Sequence, residues 1–203
     1  HSGERRFRAD RVVVATGHYG KPMIPKFASE LDPRIVQMHS SEYRNQSQLR
    51  PGGVLLVGAG NSGADIAMEL SRRHDTWLSG RDKGQVPVRI ESPLRRLFVP
   101  ILWFVASHVL TTRTPLGRKV RPHVLAEGAP RVRVKTADLK AAGVMTVPRT
   151  VGVEDGRPVL EDGRVLDVEN VIWSTGFHQD FSWIDVPVFD DDLQPLQTRG
   201  ATS

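Results

Sequence analysis

Residues 54–70 read VLLVGAGNSGADIAMEL, and this run decides the fold. Val54 to Val57 form an unbroken apolar stretch, the pattern of a strand buried on both faces in a parallel sheet. Gly58-Ala59-Gly60-Asn61-Ser62-Gly63 follows, and Ile66, Ala67 and Leu70 then recur at helical spacing. A G-x-G-x-x-G between a strand and a helix suits a dinucleotide. Gly58 allows the tight turn, Gly60 lets the backbone approach a pyrophosphate, and Gly63 permits close packing of helix on strand. Amides at the helix N-terminus face the phosphates. Gly58, Gly60, Asn61, Ser62 and Gly63 are therefore candidate cofactor-binding residues. The competing reading is a glycine-rich packing turn, and the strand-to-helix context weighs against it.

The next strand is expected at Thr76–Ser79, ending in Gly80-Arg81-Asp82-Lys83. An NAD site places an acidic residue at this strand tip to grip the ribose, whereas a 2′-phosphate calls for a cation. Arg81, flanked by Ser79 and Lys83, stands there and favours NADPH. One charge-assisted hydrogen bond contributes about 1.5–3 kcal/mol, a preference of roughly tenfold to a hundredfold. A shifted register would bring Asp82 to the ribose instead, and a solvated loop arginine is the plain alternative for Arg81.

The composition bounds the class. With 203 residues, 39% hydrophobic and 25% charged, the chain is an ordinary globular protein with enough apolar side chains for one good core or two small ones. Without cysteine there is no disulfide framework, thiolate nucleophile, dithiol redox centre or Cys-based metal site. The polar N-terminus carries no signal-peptide pattern, so a cytoplasmic setting is expected. The net charge of +5 is scattered and accompanied by no aromatic-interleaved motif, which argues against nucleic acid as a partner. The most apolar run, Leu97–Leu110, contains Pro100 and is too short to span a bilayer. A buried or pocket-lining helix is expected there. The alternative is peripheral membrane contact, since Arg95 and Arg96 precede the run and Arg113 and Arg118 follow it.

Along the rest of the chain, Val12-Val13-Val14 predicts a buried strand running into Ala15-Thr16-Gly17, and Val171-Ile172-Trp173 predicts another running into Ser174-Thr175-Gly176. Strand C-termini in open α/β sheets hold ligands, so Thr16, Gly17, Thr175 and Gly176 are further candidates beside a nucleotide. Ser40 or Ser41 would cap a helix with Tyr43 in its first turn, and His39 is expected to be a structural hydrogen-bonding residue. Val132-Arg133-Val134 predicts a strand, and Thr136–Ala142 a short helix ending at Gly143. Residues 151–166 hold two Asp-Gly turns between alternating apolar residues, the signature of a small antiparallel meander. No acid–base dyad or nucleophile triad is evident, so no catalytic residue is assigned.

Together these pieces resemble the flavin-containing monooxygenase family, within the FAD- and NAD(P)-dependent oxidoreductases. The resemblance rests on Ala15-Thr16-Gly17-His18-Tyr19 with Pro22 and Pro25, on His39-Ser40-Ser41-Glu42-Tyr43, on Gly58 to Ala67, and on Trp173 to Phe177. His39 and Tyr43 match an F-x-G-x-x-x-H-x-x-x-Y-like signature of the family, while Pro33 and Ile35 replace its Phe and Gly. The resemblance implies an α/β fold: a Rossmann-like NADP-binding domain at 51–148, a connecting segment of an FAD-binding domain at 1–50, and a β-meander with a return segment toward that domain at 149–203. It implies the cofactors NADPH and FAD, a small-molecule substrate, and dioxygen activation that oxygenates a nitrogen, a sulfur or a ketone. By the same resemblance Gly58, Gly60 and Gly63 hold the NADPH pyrophosphate and Arg81 its 2′-phosphate. Thr16-Gly17 and Thr175-Gly176 would lie near the junction with FAD, and His39 and Ser62 are candidates for positioning the nicotinamide or flavin. The family's first glycine loop is expected upstream of His1, so the chain reads as a central portion of a flavoprotein. The rivals are a flavin-dependent NADPH reductase that does not oxygenate, and a non-catalytic NADP-binding module.

Overall fold

The computed structural model describes residues 7–17, 19–82, 84–85, 95–111, 114–119, 130–190 and 195–196. In chain order its elements are β1 (Lys21–Pro22), a 3-10 turn (Lys26–Glu30), β2 (Val36–His39), a second 3-10 turn (Gln46–Gln48), β3 (Val54–Val57), α1 (Asn61–Leu70) and β4 (Thr76–Ser79). After these come α2 (Arg95–Phe104) with a π-helical extension (Val105–Val109), α3 (Thr136–Ala141), β5 (Met145–Val147), β6 (Thr150–Glu154), β7 (Arg157–Leu160), β8 (Asn170–Trp173) and β9 (Phe177–His178).

Two compact units contain these elements. The larger, residues 24–176, is built on a parallel five-stranded sheet in the order β2-β8-β3-β4-β5. β3 and β8 are buried at every position, which accounts for their unbroken apolar runs. The pleat sends alternate side chains to opposite faces. Val54, Leu56 and Ile172 pack with Ala64, Ala67 and Leu70 of α1 and Leu139 of α3. Leu55, Val57, Val171 and Trp173 pack with Leu160, Leu166 and Val168 of the hairpin region and with Ala28 and Leu31. Each buried leucine contributes about 2–3 kcal/mol, so both faces need their cover. Asn170, fully buried, donates to the carbonyls of Arg50 and Gly53 and accepts from Arg50 N–H at 2.8 Å, which ties the entry of β3 to the start of β8. Tyr43 donates to Glu69 on α1 at 2.8 Å, and burial first, then this bond, raises its phenol above the ordinary range.

The hairpin β6–β7 turns at Asp155-Gly156, with φ of 48° and 75°. Two consecutive left-handed residues make the turn that matches strand twist, which is why Asp-Gly stands there. The second Asp-Gly turn brings back a single bridge, Val159 to Val165, in place of a full third strand. The smaller unit, residues 1–23 and 177–203, pairs β1 antiparallel with β9. Within it Tyr19 meets Phe177 edge-on at 5.1 Å, and Lys21 holds the Asp180 carboxyl below its ordinary range, helped by Ser182.

Four sequence expectations are corrected. Val12–Val14 form no strand among the described residues, and their side chains are exposed, because a strand needs a partner for its backbone groups. Residues 36–39 form the parallel strand β2, and Ser40 and Ser41 sit in the turn after it without capping a helix. Val132–Val134 is irregular because Asn61 takes its backbone: the Asn61 side chain accepts from Val132 N–H at 2.8 Å and donates to Pro130 C=O at 3.2 Å. The run at 97–110 is helical but exposed, with Trp103 75% and Phe104 59% accessible. Lys83, Arg113 and His18 lie outside the described residues.

Candidate dinucleotide cleft

A cleft of about 620 Å³ opens at the C-terminal ends of β3, β4 and β8. The chain leaves β3 toward β4 and β5 but returns to β8 on the opposite side, so the strand order reverses between β3 and β8. Ligands of open α/β sheets bind in such a crevice. The ladder continues one residue past each strand: Ser174 N–H donates to Val57 C=O at 2.8 Å and Gly58 N–H to Ser79 C=O at 2.8 Å. These bonds fix the floor on which the glycine turn stands.

The three glycines of the turn do different work. Gly58 has φ of 116°, and a Cβ there would lie 2.7 Å from the Ser174 carbonyl carbon and overlap its oxygen. At Gly63 a Cβ would overlap the Gly58 carbonyl oxygen. Both glycines are therefore required by the protein's own packing. Gly60 is different. It lines the cleft, its backbone is extended at φ −78°, and a Cβ there would meet nothing within 4 Å. No internal contact demands a glycine at this position; the space it leaves is open to a ligand. The first intrahelical bond of α1 runs from Ala64 N–H to Gly60 C=O, so the amides of Asn61, Ser62 and Gly63 precede the ladder and carry the positive end of the helix.

Of the residues singled out in the sequence, Gly58, Gly60, Arg81, Thr175 and Gly176 line the cleft. Asn61, Ser62 and Gly63 stand in the first turn of α1. The Asn61 side chain is spent on residues 130 and 132, which leaves its backbone amide for a ligand. Thr16 and Gly17 belong to the smaller unit, where both are exposed. Ser79 is fully buried: its hydroxyl accepts from Thr150 N–H and bonds Pro148 C=O and the Thr150 hydroxyl, all at 2.8 Å. It braces the corner between β5 and β6 and has no hydrogen left for a ribose phosphate.

Arg81 and Asp82 both line the cleft but differ in their partners. Asp82 accepts from Arg131 at 2.9 Å and from Thr136 at 3.3 Å, and Arg131 is 3% exposed. The carboxylate is thus committed to a buried cation, while Arg81 faces the cleft with no carboxylate partner among the described residues. Arg149 also lines the cleft and has no ion pair among the described residues. It was missed in the sequence because the Pro148-Arg149-Thr150 corner carries no motif; its position follows from the parallel pairing of Ser79 with Val147. His39, fully buried at the end of β2, accepts from Ser41 N–H at Nδ1, 3.2 Å, so Nε2 carries the proton toward Gly176 C=O at 3.0 Å. This is the structural role expected of it.

A parallel sheet with a glycine turn feeding a helix at its switch point gives a doubly wound α/β unit. Comparisons with known proteins agree. Residues 1–87 match the pyridine nucleotide-disulphide oxidoreductase family model. An uncharacterized CzcO-like oxidoreductase of Geobacillus kaustophilus is 38% identical over 96% of this chain and 55% of its own length. Dimethylaniline monooxygenase [N-oxide-forming] 2 of Mus musculus is 27% identical over 90% of this chain and 38% of its own. Among solved structures, a double mutant of the flavin monooxygenase of Stenotrophomonas maltophilia shares the fold, with a TM-score of 0.59, 20% identity, and coverage of 86% of this chain and 45% of that one. The chain is similar to uncharacterized CzcO-like oxidoreductases and, at lower identity, to flavin-containing monooxygenases, and it spans about half the length of the curated relatives it matches.

Proposed function

We propose that this chain supplies the NADPH-binding part of a flavin-dependent monooxygenase acting on a small organic molecule. The observation that carries the reading is Gly60: it lines the cleft at the helix N-terminus, yet none of the described residues fills the space its missing Cβ leaves. That suits a pyrophosphate lying against backbone.

On this reading the amides of Asn61, Ser62 and Gly63 hold the pyrophosphate, and the helix dipole adds to the attraction. Arg81 and Arg149 take the 2′-phosphate; Asp82, neutralised by Arg131, does not repel it. Thr175 and Gly176 form the wall beyond the switch point, held by His39. When bound, NADPH would supply the hydride and FAD the dioxygen chemistry. This chain binds and orients the nicotinamide cofactor; no side chain of the cleft forms a nucleophile or general acid–base pair.

Calorimetric titration with NADPH and NADH tests the reading. NADPH is expected to bind roughly tenfold to a hundredfold more tightly than NADH. Equal affinities, or none, would remove it. Substrate-dependent oxygen uptake by the flavin-loaded protein separates an oxygenase from a reductase.

A further inference from the structure

We propose that the α2 segment and its π-helical extension, residues 95–110, dock in the plane of an anionic lipid surface. After Arg95 and Arg96 the helix carries only apolar side chains, four of which are largely exposed: Val99 54%, Ile101 55%, Trp103 75% and Phe104 59%. So large an exposed apolar patch marks a surface that something apolar covers. Among the described residues it packs mainly against its own extension.

Charge identifies the surrounding. From Ser92 to Ala126 the sequence has no Asp or Glu but carries Arg95, Arg96, Arg113, Arg118, Lys119 and Arg121. A protein cover would have to pair or desolvate these cations, whereas a leaflet of anionic headgroups takes them up at its surface beside the apolar segment. The ten α-helical and five π-helical residues together reach about 20 Å, short of the roughly 30 Å hydrocarbon thickness, so the segment lies in the interface and does not cross it. No described helix is long and apolar enough to cross a membrane.

The backbone agrees. At the π-helical turn Leu110 N–H bonds Val105 C=O at 2.9 Å, which disturbs the regular ladder. The affected carbonyls receive side-chain donors: Ser107 donates to Trp103 C=O at 2.6 Å and His108 to Phe104 C=O at 3.1 Å, with the His108 ring stacked on Phe104 at 4.5 Å. Thr114 likewise donates to the carbonyls of Val109 and Thr111. In water these carbonyls would be solvated without help; at a lipid boundary an unmet carbonyl is costly.

The test is sedimentation of the full chain with vesicles of phosphatidylglycerol and phosphatidylcholine, against phosphatidylcholine alone. Binding is expected to the anionic vesicles, weakening with salt and by roughly fivefold per arginine in Arg95→Gln and Arg96→Gln. The variant carrying Ile101→Asp and Trp103→Asp should lose roughly a hundredfold in partitioning while its circular dichroism and NADPH titration stay unchanged. If the wild-type chain remains in the supernatant, the face covers protein and the proposal falls. Equal sedimentation of the double aspartate variant also overturns it. The NADPH titration is read separately, so failure here leaves the cofactor reading standing.

Discussion

His39 on β2 donates from Nε2 to the carbonyl of Gly176, 3.0 Å away, and so joins the edge of the sheet to the turn that walls the cleft. The ring is fully buried and its other nitrogen is held by Ser41. His39→Ala removes the donor, leaves the carbonyl unmet and opens a cavity. Urea unfolding should show a loss of about 2–4 kcal/mol, with NADPH affinity falling as the turn loosens. Unchanged stability would mean that the turn is held elsewhere.

The glycine turn makes opposite predictions two residues apart. Gly58→Ala should destabilise by about 2 kcal/mol or more, because φ of 116° and the Ser174 carbonyl both oppose a Cβ. Gly60→Ala should leave the unfolding free energy from urea titration within about 0.5 kcal/mol of wild type yet weaken NADPH binding. A Gly60→Ala protein that binds NADPH normally would take the pyrophosphate away from this turn.

Arg81→Ala and Arg149→Ala should each lower NADPH affinity roughly tenfold and leave NADH binding unaltered. Paired titrations of the two nucleotides read this directly. An equal loss for both nucleotides would move the arginines from the 2′-phosphate to a shared part of the cofactor.

Asp82 is the carboxylate of a buried arginine. Asp82→Ala strands Arg131, and because Asp82 itself is 57% exposed the cost should be about 1–3 kcal/mol, below that of a fully buried pair. Thermal unfolding of Asp82→Ala beside the double variant with Arg131→Met checks it: the double variant should recover part of the loss. A single variant as stable as wild type would show that water reaches Arg131.

Asp32 sets an acid limit. The Arg34 side chain first, and the Arg34 backbone N–H second, lower its carboxyl to about 2. Its folded value lies below the unfolded one, so the stabilisation is complete above about pH 4 and is lost as pH falls toward 2. Urea midpoints of wild type should therefore decline over that window more steeply than those of Asp32→Asn. Parallel curves would place the acid sensitivity elsewhere.

The sheet was legible where structure is local. Val54–Leu70 states strand, turn and helix in one run, and Asp155-Gly156 states its own hairpin. β2 was not legible, because Gln37 and His39 interrupt the apolar pattern of Val36-Gln37-Met38-His39 and the strand forms only against partners at 170–173. The Val132–Val134 alternation resembled a strand, but the Asn61 side chain captures its backbone from 71 residues away. The same distance hides Arg149, which reaches the cleft only because β5 pairs with β4. Arg81 was readable from the strand tip, whereas the commitment of Asp82 to Arg131 depends on a segment far downstream.

β8 lies between β2 and β3, which do not pair with each other. On the ribosome β2 and β3 therefore emerge early and wait for residue 170 before either gains that neighbour. Until then two strand edges are open on a growing chain, the circumstance in which nascent proteins aggregate or recruit chaperones. Stalling synthesis before Asn170 should leave the sheet unable to close and its open edge sensitive to protease, while release past Trp173 should bring protection in a single late step.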